Sequence, residues 1–258
     1  MNILITGHKG FIGTALTDAL RDDHVLSGLD IHRPTPNQVT DHQCITRAEL
    51  PSNIDMVIHL AGIGGVRESM NRPADYWKTN VIGTQRILEH YKNIRCLVAS
   101  SSTAYEPALN PYAGSKYVAE SIPHKNVVFM RFHTVYSITP RKGMLFDKLI
   151  NNELTYTTNH RRDFIHVNDI CSAIKKLIKH QHIKGVVDIG TGTNISIQDI
   201  RPDLPCHTIE QYPEMAYERH TTLADISIMK SIGWRPTIRV EDFMRENRLK
   251  PVLAETNG

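Results

Sequence analysis

Short unbroken apolar runs alternate along this chain with longer stretches whose apolar residues recur every three or four positions. Runs of the first kind suit strands buried on both faces of a parallel sheet, and the periodic stretches suit the helices between them. Asn2–Thr6 is the first run, with Ile3, Leu4 and Ile5 together. A helix is expected over residues 11–23 and a second strand over 24–30. Residues 31–49 are polar and carry Pro34 and Pro36, which predicts a loop with one weak strand near 43–46. Further strands are expected over 54–62, 95–102, 126–132 and 185–190. A long helix is expected over 72–93, with Pro73 in its first turn and Val81, Ile82, Ile87 and Leu88 as its apolar stripe. Shorter helices fall over 112–121 and 168–182. The last of these ends in Lys175, Lys176, Lys179 and His180, cations matched to a helix C-terminus, with Gly185 just beyond.

This alternation predicts an α/β fold built on a doubly wound parallel sheet. Residues 1–136 and 161–190 supply it. Residues 137–160 and 191–258 are mixed and poorly periodic, broken by Pro202, Pro205, Pro213 and Pro236. They read as a small lobe over the C-terminal edge of the sheet, where such folds bind ligands. No internal repeat or low-complexity tract interrupts the pattern.

The turn between the first strand and helix carries Gly7, Gly10 and Gly13, spaced G-x-x-G-x-x-G. Gly7 permits a tight exit from the strand. Gly10 has no Cβ to hold a pyrophosphate off the backbone, and Gly13 lets the helix sit close to the sheet. The helix N-terminus would then face the phosphates. Asp30 closes the second strand 17 residues past Gly13, placed for a ribose 2′-hydroxyl. Together these features predict a dinucleotide site.

Composition narrows the classes little further. The 258 residues are 40% hydrophobic and 22% charged, enough for one large domain with a lobe. A net charge of +3, with no basic run interleaved with aromatics, argues against a nucleic-acid partner. Cys44, Cys96, Cys171 and Cys206 lie far apart, so reduced thiols and a cytoplasmic location are expected rather than disulfides or zinc. The 14 histidines show no metal-ligand spacing. A strand from residue 2 leaves no room for a signal peptide, and no run reaches membrane-spanning length, so no membrane partner is expected.

Candidate chemistry gathers after the 95–102 strand, which ends in Ser100, Ser101 and Ser102. Ten residues on comes Tyr112-x-x-x-Lys116. On a helix, positions i and i+4 share a face, so the ammonium is expected to lower the phenol's pKa toward that of a general base. A serine hydroxyl from the strand end would hold the same substrate oxygen.

Across nearly its whole length the chain resembles the extended short-chain dehydrogenase/reductases, in particular the nucleotide-sugar epimerase/dehydratase family. The blocks that carry the likeness are TGHKGFIG, Asp30, HLAG (59–62), NVIGT (80–84), SSSTAY, PYAGSK, RFHTVY (131–136), RDFIHVND (162–169), DIGTG (188–192) and LADISIMKSIGWRP (223–236), in family order. The resemblance implies a Rossmann-type sheet with a small mixed substrate lobe. It implies NAD held by Gly7, Gly10, Phe11, Ile12, Gly13, Asp30, Leu60, Ala61, Gly62 and Asn80, together with Tyr112 and Lys116. Tyr112 and Lys116 become the proton-handling pair. Spacing back from Tyr105 puts Ser101 on the family's Ser/Thr position, with Ser100 or Ser102 serving if the register slips.

Single residues then point to a reaction. Family 4,6-dehydratases place an Asp-Glu pair where this chain has Ser102 and Thr103, and decarboxylases keep a glutamate at Thr103. Family reductases favour NADPH, whose 2′-phosphate Asp30 would repel, although Arg33 would partly offset this. What remains is 4-epimerisation of a nucleotide-activated sugar through a 4-keto intermediate, which needs only Tyr112, Lys116 and Ser101. A dehydratase, a 4-reductase and a silent NAD-binding sensor are the alternatives. The stretches GGVRESMNRPADYWKTNVIGT and RFHTVY are most similar to UDP-glucuronate and UDP-sugar 4-epimerases. By this likeness Arg67, Ser102, Thr134, Arg162 and Arg219 meet substrate. Arg67 suits a carboxylate or phosphate, and Arg162 suits the diphosphate unless it pairs structurally with Asp163. Arg219 substitutes for a second diphosphate arginine.

Departures from the family are local. Six residues separate Tyr105 from Tyr112, where relatives usually have more, and the helix from Tyr112 stops early at Pro123. That helix belongs to the family's four-helix dimer interface, so its shortness weakens the expectation of a homodimer. Cys44 stands where an acid usually meets adenine.

Overall fold

The structure, a computed structural model, describes residues 1–31, 40–42, 44–154, 156–201, 206–207 and 216–247. Seven described strands form one parallel sheet: β1 (Asn2–Thr6), β2 (Val25–Asp30), β3 (Thr40–His42), β4 (Met56–His59), β5 (Arg95–Ser101), β6 (Val127–Phe132) and a late strand, Gly185–Ile189, in the order late strand, β6, β5, β4, β1, β2, β3. Every pairing in it is parallel. The chain leaves β1 toward β2 and β3, then crosses back to β4. The C-terminal ends of β1 and β4 therefore flank the point where the winding reverses, which is where such sheets bind ligands.

The apolar runs work as expected because strand side chains alternate between faces. Ile3 and Ile5 join one core with Leu16 and Leu20 of α1 (Phe11–Leu20) and with Ile170, Ile174 and Leu177. Leu4 enters the opposite core with Val57, Ile87, Leu88 and Phe129.

The expected 72–93 helix is divided. A separate helix, α2 (Val66–Asn71), precedes it, followed by α3 (Pro73–Tyr76), a wide π turn (Trp77–Ile82) and α4 (Gly83–His90). Of the weak strand expected near 43–46, residue 43 lies outside the described residues and the described residues 44–46 form no strand. The strand is Thr40–His42, and Arg47 N–H closes a turn on the Cys44 carbonyl at 2.8 Å. A 3-10 turn (Ser102–Tyr105) leads from β5 toward α5 (Pro111–Glu120).

The rest comprises β7 (Thr134–Tyr136), α6 (Leu145–Ile150), β8 (Thr157–Thr158), β9 (Arg161–Arg162), β10 (Phe164–His166), α7 (Val167–Lys179), β11 (the late strand), β12 (Ile195–Ser196), α8 (Ile197–Ile200), β13 (Cys206–His207), α9 (Ser227–Ser231) and α10 (Val240–Glu246). A third core of Tyr136, Phe146, Phe164, Val240 and Phe243 lies among β7, β10, α6 and α10. Buried Asp169 carries the α10 segment by accepting from Thr237 N–H and Oγ1–H and Ile238 N–H, at 2.8–3.1 Å. The C-terminus of α7 keeps Lys176 and Lys179 in its last turn, but buried Arg95 from β5 does the hydrogen bonding, reaching the carbonyls of Leu177 and His180. No helix among the described residues is long and apolar enough to cross a membrane.

Candidate active site

The glycine turn is built so tightly that side chains cannot enter it. Gly7 sits at φ 73°, where a Cβ would stand 2.7 Å from Ala61 N, and a Cβ on Gly13 would stand 2.0 Å from the Gly7 carbonyl oxygen. A Cβ on Gly10 would meet the same oxygen at 3.2 Å. No side chain caps α1, since Gly10 is its N-cap, so first-turn N–H groups are left for an anion. Phe11 and Ile12 open that helix, and Ile12 packs on the core. Buried Asp30 ends β2 and accepts the Lys9 N–H at 2.9 Å, holding the turn against the strand end. This Cβ-free cradle, a helix N-terminus and an acid fit a dinucleotide diphosphate and ribose. Arg33, weighed for a 2′-phosphate, lies outside the described residues.

Leu60, Ala61 and Gly62 follow β4 across the crevice. A Cβ on Gly62 would stand 3.0 Å from Asn80 Oδ1 and 3.2 Å from Lys116 Nζ, so its bareness lets both side chains approach. Asn80 lies in the π turn, and such turns recur at functional sites. It clamps Ile63 by accepting its N–H at 2.8 Å and donating to its carbonyl at 3.0 Å, and donates to Ser115 Oγ at 3.0 Å.

Tyr112 and Lys116 share a face of α5, but no hydrogen bond joins their polar ends. Lys116 Nζ donates to the Ala99 carbonyl at 2.9 Å. Burial pulls its pKa down to about 8, with Glu120 acting the other way. The Tyr112 phenol is pushed above the ordinary tyrosine range by burial, while the Ser101 hydroxyl and the Arg141 guanidinium draw it back. The expected lowering by Lys116 is therefore corrected: burial dominates, and the nearby cation acting on the phenol is Arg141. That arginine donates to the Gly64 carbonyl at 3.2 Å. Ser101 accepts from Thr103 N–H at 3.2 Å and Thr103 Oγ1 at 3.0 Å. Ser100 points elsewhere, donating to Glu120 at 2.5 Å, while Ser102 is buried and lends its carbonyl to Arg219 at 3.0 Å.

The remaining expected substrate residues fall in three places. Arg67 and Arg162 meet at Glu218, 3.2 Å and 3.5 Å away respectively. Arg162 also reaches His160 at 2.9 Å and the His220 carbonyl at 2.9 Å. It does not pair with Asp163, whose buried carboxylate instead accepts from Thr191, Gly192 and Ala224. Arg219 pairs with Glu106 at 2.8 Å and lies over the Tyr105 ring. Thr134 is half-buried at the start of β7, its N–H on the Asp163 carbonyl. Arg141, Glu218 and Asn110 carry no motif; only the fold brings them here.

A family model described as the NAD dependent epimerase/dehydratase family matches residues 3–190, and the chain belongs to that family. It is 27% identical, over 95% of its length and 99% of the relative's, to a protein named putative UDP-glucose 4-epimerase from Methanocaldococcus jannaschii. Among solved structures it is similar to MoeE5 in complex with UDP-glucose and NAD, with a TM-score of 0.84, 25% identity, and 96% and 98% of the two chains covered. It is likewise similar to UDP-glucuronic acid 4-epimerase from Bacillus cereus in complex with UDP-glucuronic acid and NAD, with a TM-score of 0.82, 26% identity, and again 96% and 98% coverage.

Proposed function

We propose that the protein is an NAD-dependent 4-epimerase of a UDP-sugar, of the glucose/galactose or glucuronate type. The observation that carries this reading is the placing of Tyr112, opposite Ser101 and beside Arg141, with Lys116 one turn along α5 on the Ala99 carbonyl and the glycine turn across the crevice. Gly7, Gly10, Phe11, Ile12, Gly13, Asp30, Leu60, Ala61, Gly62 and Asn80 would hold NAD in residues 1–136 and 161–190. Residues 137–160 and 191–258 would hold the sugar nucleotide.

When bound, NAD supplies the capacity to take a hydride from the sugar C4 and give it back. Tyr112 removes the proton from the 4-hydroxyl as the ketone forms and returns it after the flat sugar has turned its other face. Ser101 holds the 4-oxygen. Arg141 supplies positive charge that favours phenolate against the burial that opposes it, while Lys116 holds its ammonium on the Ala99 carbonyl. Ser102 and Thr134 line the sugar side, and Arg67, Arg162 and Arg219 meet the diphosphate. Arg141, a guanidinium next to the phenol, favours the anionic sugar of the two, UDP-glucuronate.

We read the setting as cytoplasmic, in keeping with free thiols at Cys44, Cys96 and Cys171. A homodimer through α5 is disfavoured in this reading, because that helix ends at Glu120. Nucleic acid has no role in this reading.

Incubating the NAD-loaded protein with UDP-glucose and UDP-glucuronate, and following the C4 proton by NMR, tests the function. Epimer formation without net NAD consumption is expected, faster with the uronate. A 4-keto-6-deoxy product or stoichiometric NADPH use would replace epimerisation with dehydration or reduction, and no turnover with any sugar would favour a sensor.

A further inference from the structure

α5 grips the end of β5 at three consecutive residues. Tyr112, Lys116 and Glu120 recur every four positions and so share one face of the helix. The Tyr112 phenol has the Ser101 hydroxyl as a hydrogen-bond partner. Lys116 Nζ donates to the Ala99 carbonyl at 2.9 Å, and Glu120 Oε1 accepts from Ser100 Oγ at 2.5 Å. The first two contacts belong to the reacting groups already described. The third has no part in that set.

Glu120 is the last residue of α5, which is only 10 residues long. A helix so short has few contacts to fix where it stands along the strand beneath it. Its final side chain is tied from a second direction. Arg131 of β6 donates to both Glu120 oxygens, Nε to Oε1 at 2.9 Å and Nη2 to Oε2 at 2.7 Å, the two-pronged geometry of a strong ion pair. Only 5% of the Glu120 side chain and 12% of the Arg131 side chain are exposed, so solvent screens the pair little.

Arg131 carries the tie further. Its guanidinium lies 4.1 Å from the centre of the Tyr105 ring, and the Tyr105 hydroxyl donates to Asp188 Oδ2 of β11 at 2.9 Å. Tyr105 ends the 3-10 turn that Ser101 caps. Both ends of that turn are thus held, the first through Ser100 on Glu120 and the second through the arginine that Glu120 orients.

Charge adds to geometry. Glu120 is the acid that holds the Lys116 proton against burial. The other titratable groups around that ammonium are Tyr112, one turn back on α5, and the neutral His59 ring of β4.

We propose that Glu120 is a positioning residue: clamped by Arg131, it pins Ser100 and so sets the register in which α5 presents Tyr112 to Ser101. The proposal rests on the epimerase reading above and extends it, placing part of the control of turnover on a residue outside the reacting set.

Glu120→Gln keeps the shape and removes the charge. Ser100→Ala removes the strand's end of the grip and leaves the ion pair in place. Both are assayed NAD-loaded with the UDP-sugar that the wild type turns over. Ser100→Ala should lower kcat about tenfold, with KM and calorimetric NAD affinity within about twofold of wild type. Glu120→Gln should lower kcat by roughly ten- to a hundredfold with the same split. It should also melt earlier, because Arg131 is left unpaired in the interior, and its alkaline limb should move to lower pH, because Lys116 has lost its neighbouring acid. If Glu120→Gln does not fold, Ser100→Ala decides alone. A wild-type kcat in either folded variant, or a fall in kcat matched by an equal fall in NAD affinity, makes the pair a strut and overturns the positioning role alone. If the wild type turns over no UDP-sugar, the epimerase reading falls, and the positioning role with it.

Discussion

Lys116 Nζ donates to the Ala99 carbonyl oxygen at 2.9 Å, not to the Tyr112 hydroxyl one helical turn away. The ammonium is thereby fixed at the end of β5, beneath Gly62 and Asn80, where it supports the site as a buried charge. Burial brings its pKa to about 8, below the ordinary lysine range, so the protonated form is the costly one in the folded state. Between about pH 8 and the unfolded lysine value the unfolded chain binds more protons, so this group makes stability rise with pH across that window. Activity should move the opposite way, because deprotonation takes the buried positive charge out of the site. We expect kcat/KM to decline above about pH 8 while the protein grows no less stable. Lys116→Met should lower turnover by about a hundredfold or more and abolish that alkaline limb. A wild-type profile that stays flat to pH 10 would refute the assignment.

Substitutions in the glycine turn should not be equivalent. A Cβ on Gly13 would fall 2.0 Å from the Gly7 carbonyl oxygen and 2.7 Å from His8 Cα, both backbone atoms that cannot step aside. α1 would have to shift, at about 1–3 kcal/mol, carrying its N-terminus away from the phosphates. Gly10→Ala meets one oxygen at 3.2 Å and needs an adjustment of a few tenths of an ångström. Gly13→Ala should therefore lower both melting temperature and NAD affinity, and Gly10→Ala should affect mainly NAD. Equal losses in calorimetry would contradict this geometry.

The sheet was legible because each strand is a self-contained apolar run, and burial on both faces leaves its sequence no other use. The glycine turn and the Tyr112–Lys116 spacing were legible for a similar reason: their geometry is local. The break of the 72–93 helix was not, because the π turn lies within a stretch whose apolar stripe runs through it, while the clamp of Asn80 on Ile63 sits on the polar side. Nor were the arginine partners. Arg67 and Glu218 are 151 residues apart, and Arg219 and Glu106 are 113 apart, so only the folded chain pairs them. The i, i+4 rule placed Tyr112 and Lys116 on one face but could not say where each long side chain would end.

Asn110 joins the two halves of the site. Its Oδ1 caps α5 by accepting Ala113 N–H at 2.8 Å, and its Nδ2 donates to the Tyr217 carbonyl at 2.8 Å. Asn110→Asp keeps an excellent cap but replaces the donor with an acceptor facing a carbonyl. We expect KM for the sugar nucleotide to rise several-fold with the melting temperature reduced by only a few degrees, the latter in line with a lost hydrogen bond of about 1 kcal/mol. Asn110→Ser, which caps without reaching Tyr217, should behave likewise. If both variants leave KM unchanged, the tether has no part in holding Glu218 and Arg219.

Acid should weaken the fold through His59. Its ring is buried between Thr6 Oγ1 at 2.6 Å and Thr84 Oγ1 at 3.1 Å, joining β1, β4 and α4. Burial, aided by the Lys116 charge, lowers its pKa to about 3 from 6.5. The sign follows from this depression: between pH 6.5 and about 3 the unfolded chain takes up a proton that the folded chain refuses. Stability contributed by the neutral ring is thus full above pH 6.5 and drains away as pH falls. One such group contributes a slope of up to ~1.4 kcal/mol per pH unit. His160, held down at about 4, adds in the same direction. Urea unfolding between pH 7 and 4.5 should show this slope in the wild type. His59→Gln, which offers Thr6 and Thr84 an uncharged partner, should lose about one proton's worth of it while retaining the His160 part. An identical slope in the variant would show that the ring takes its proton without opening the core.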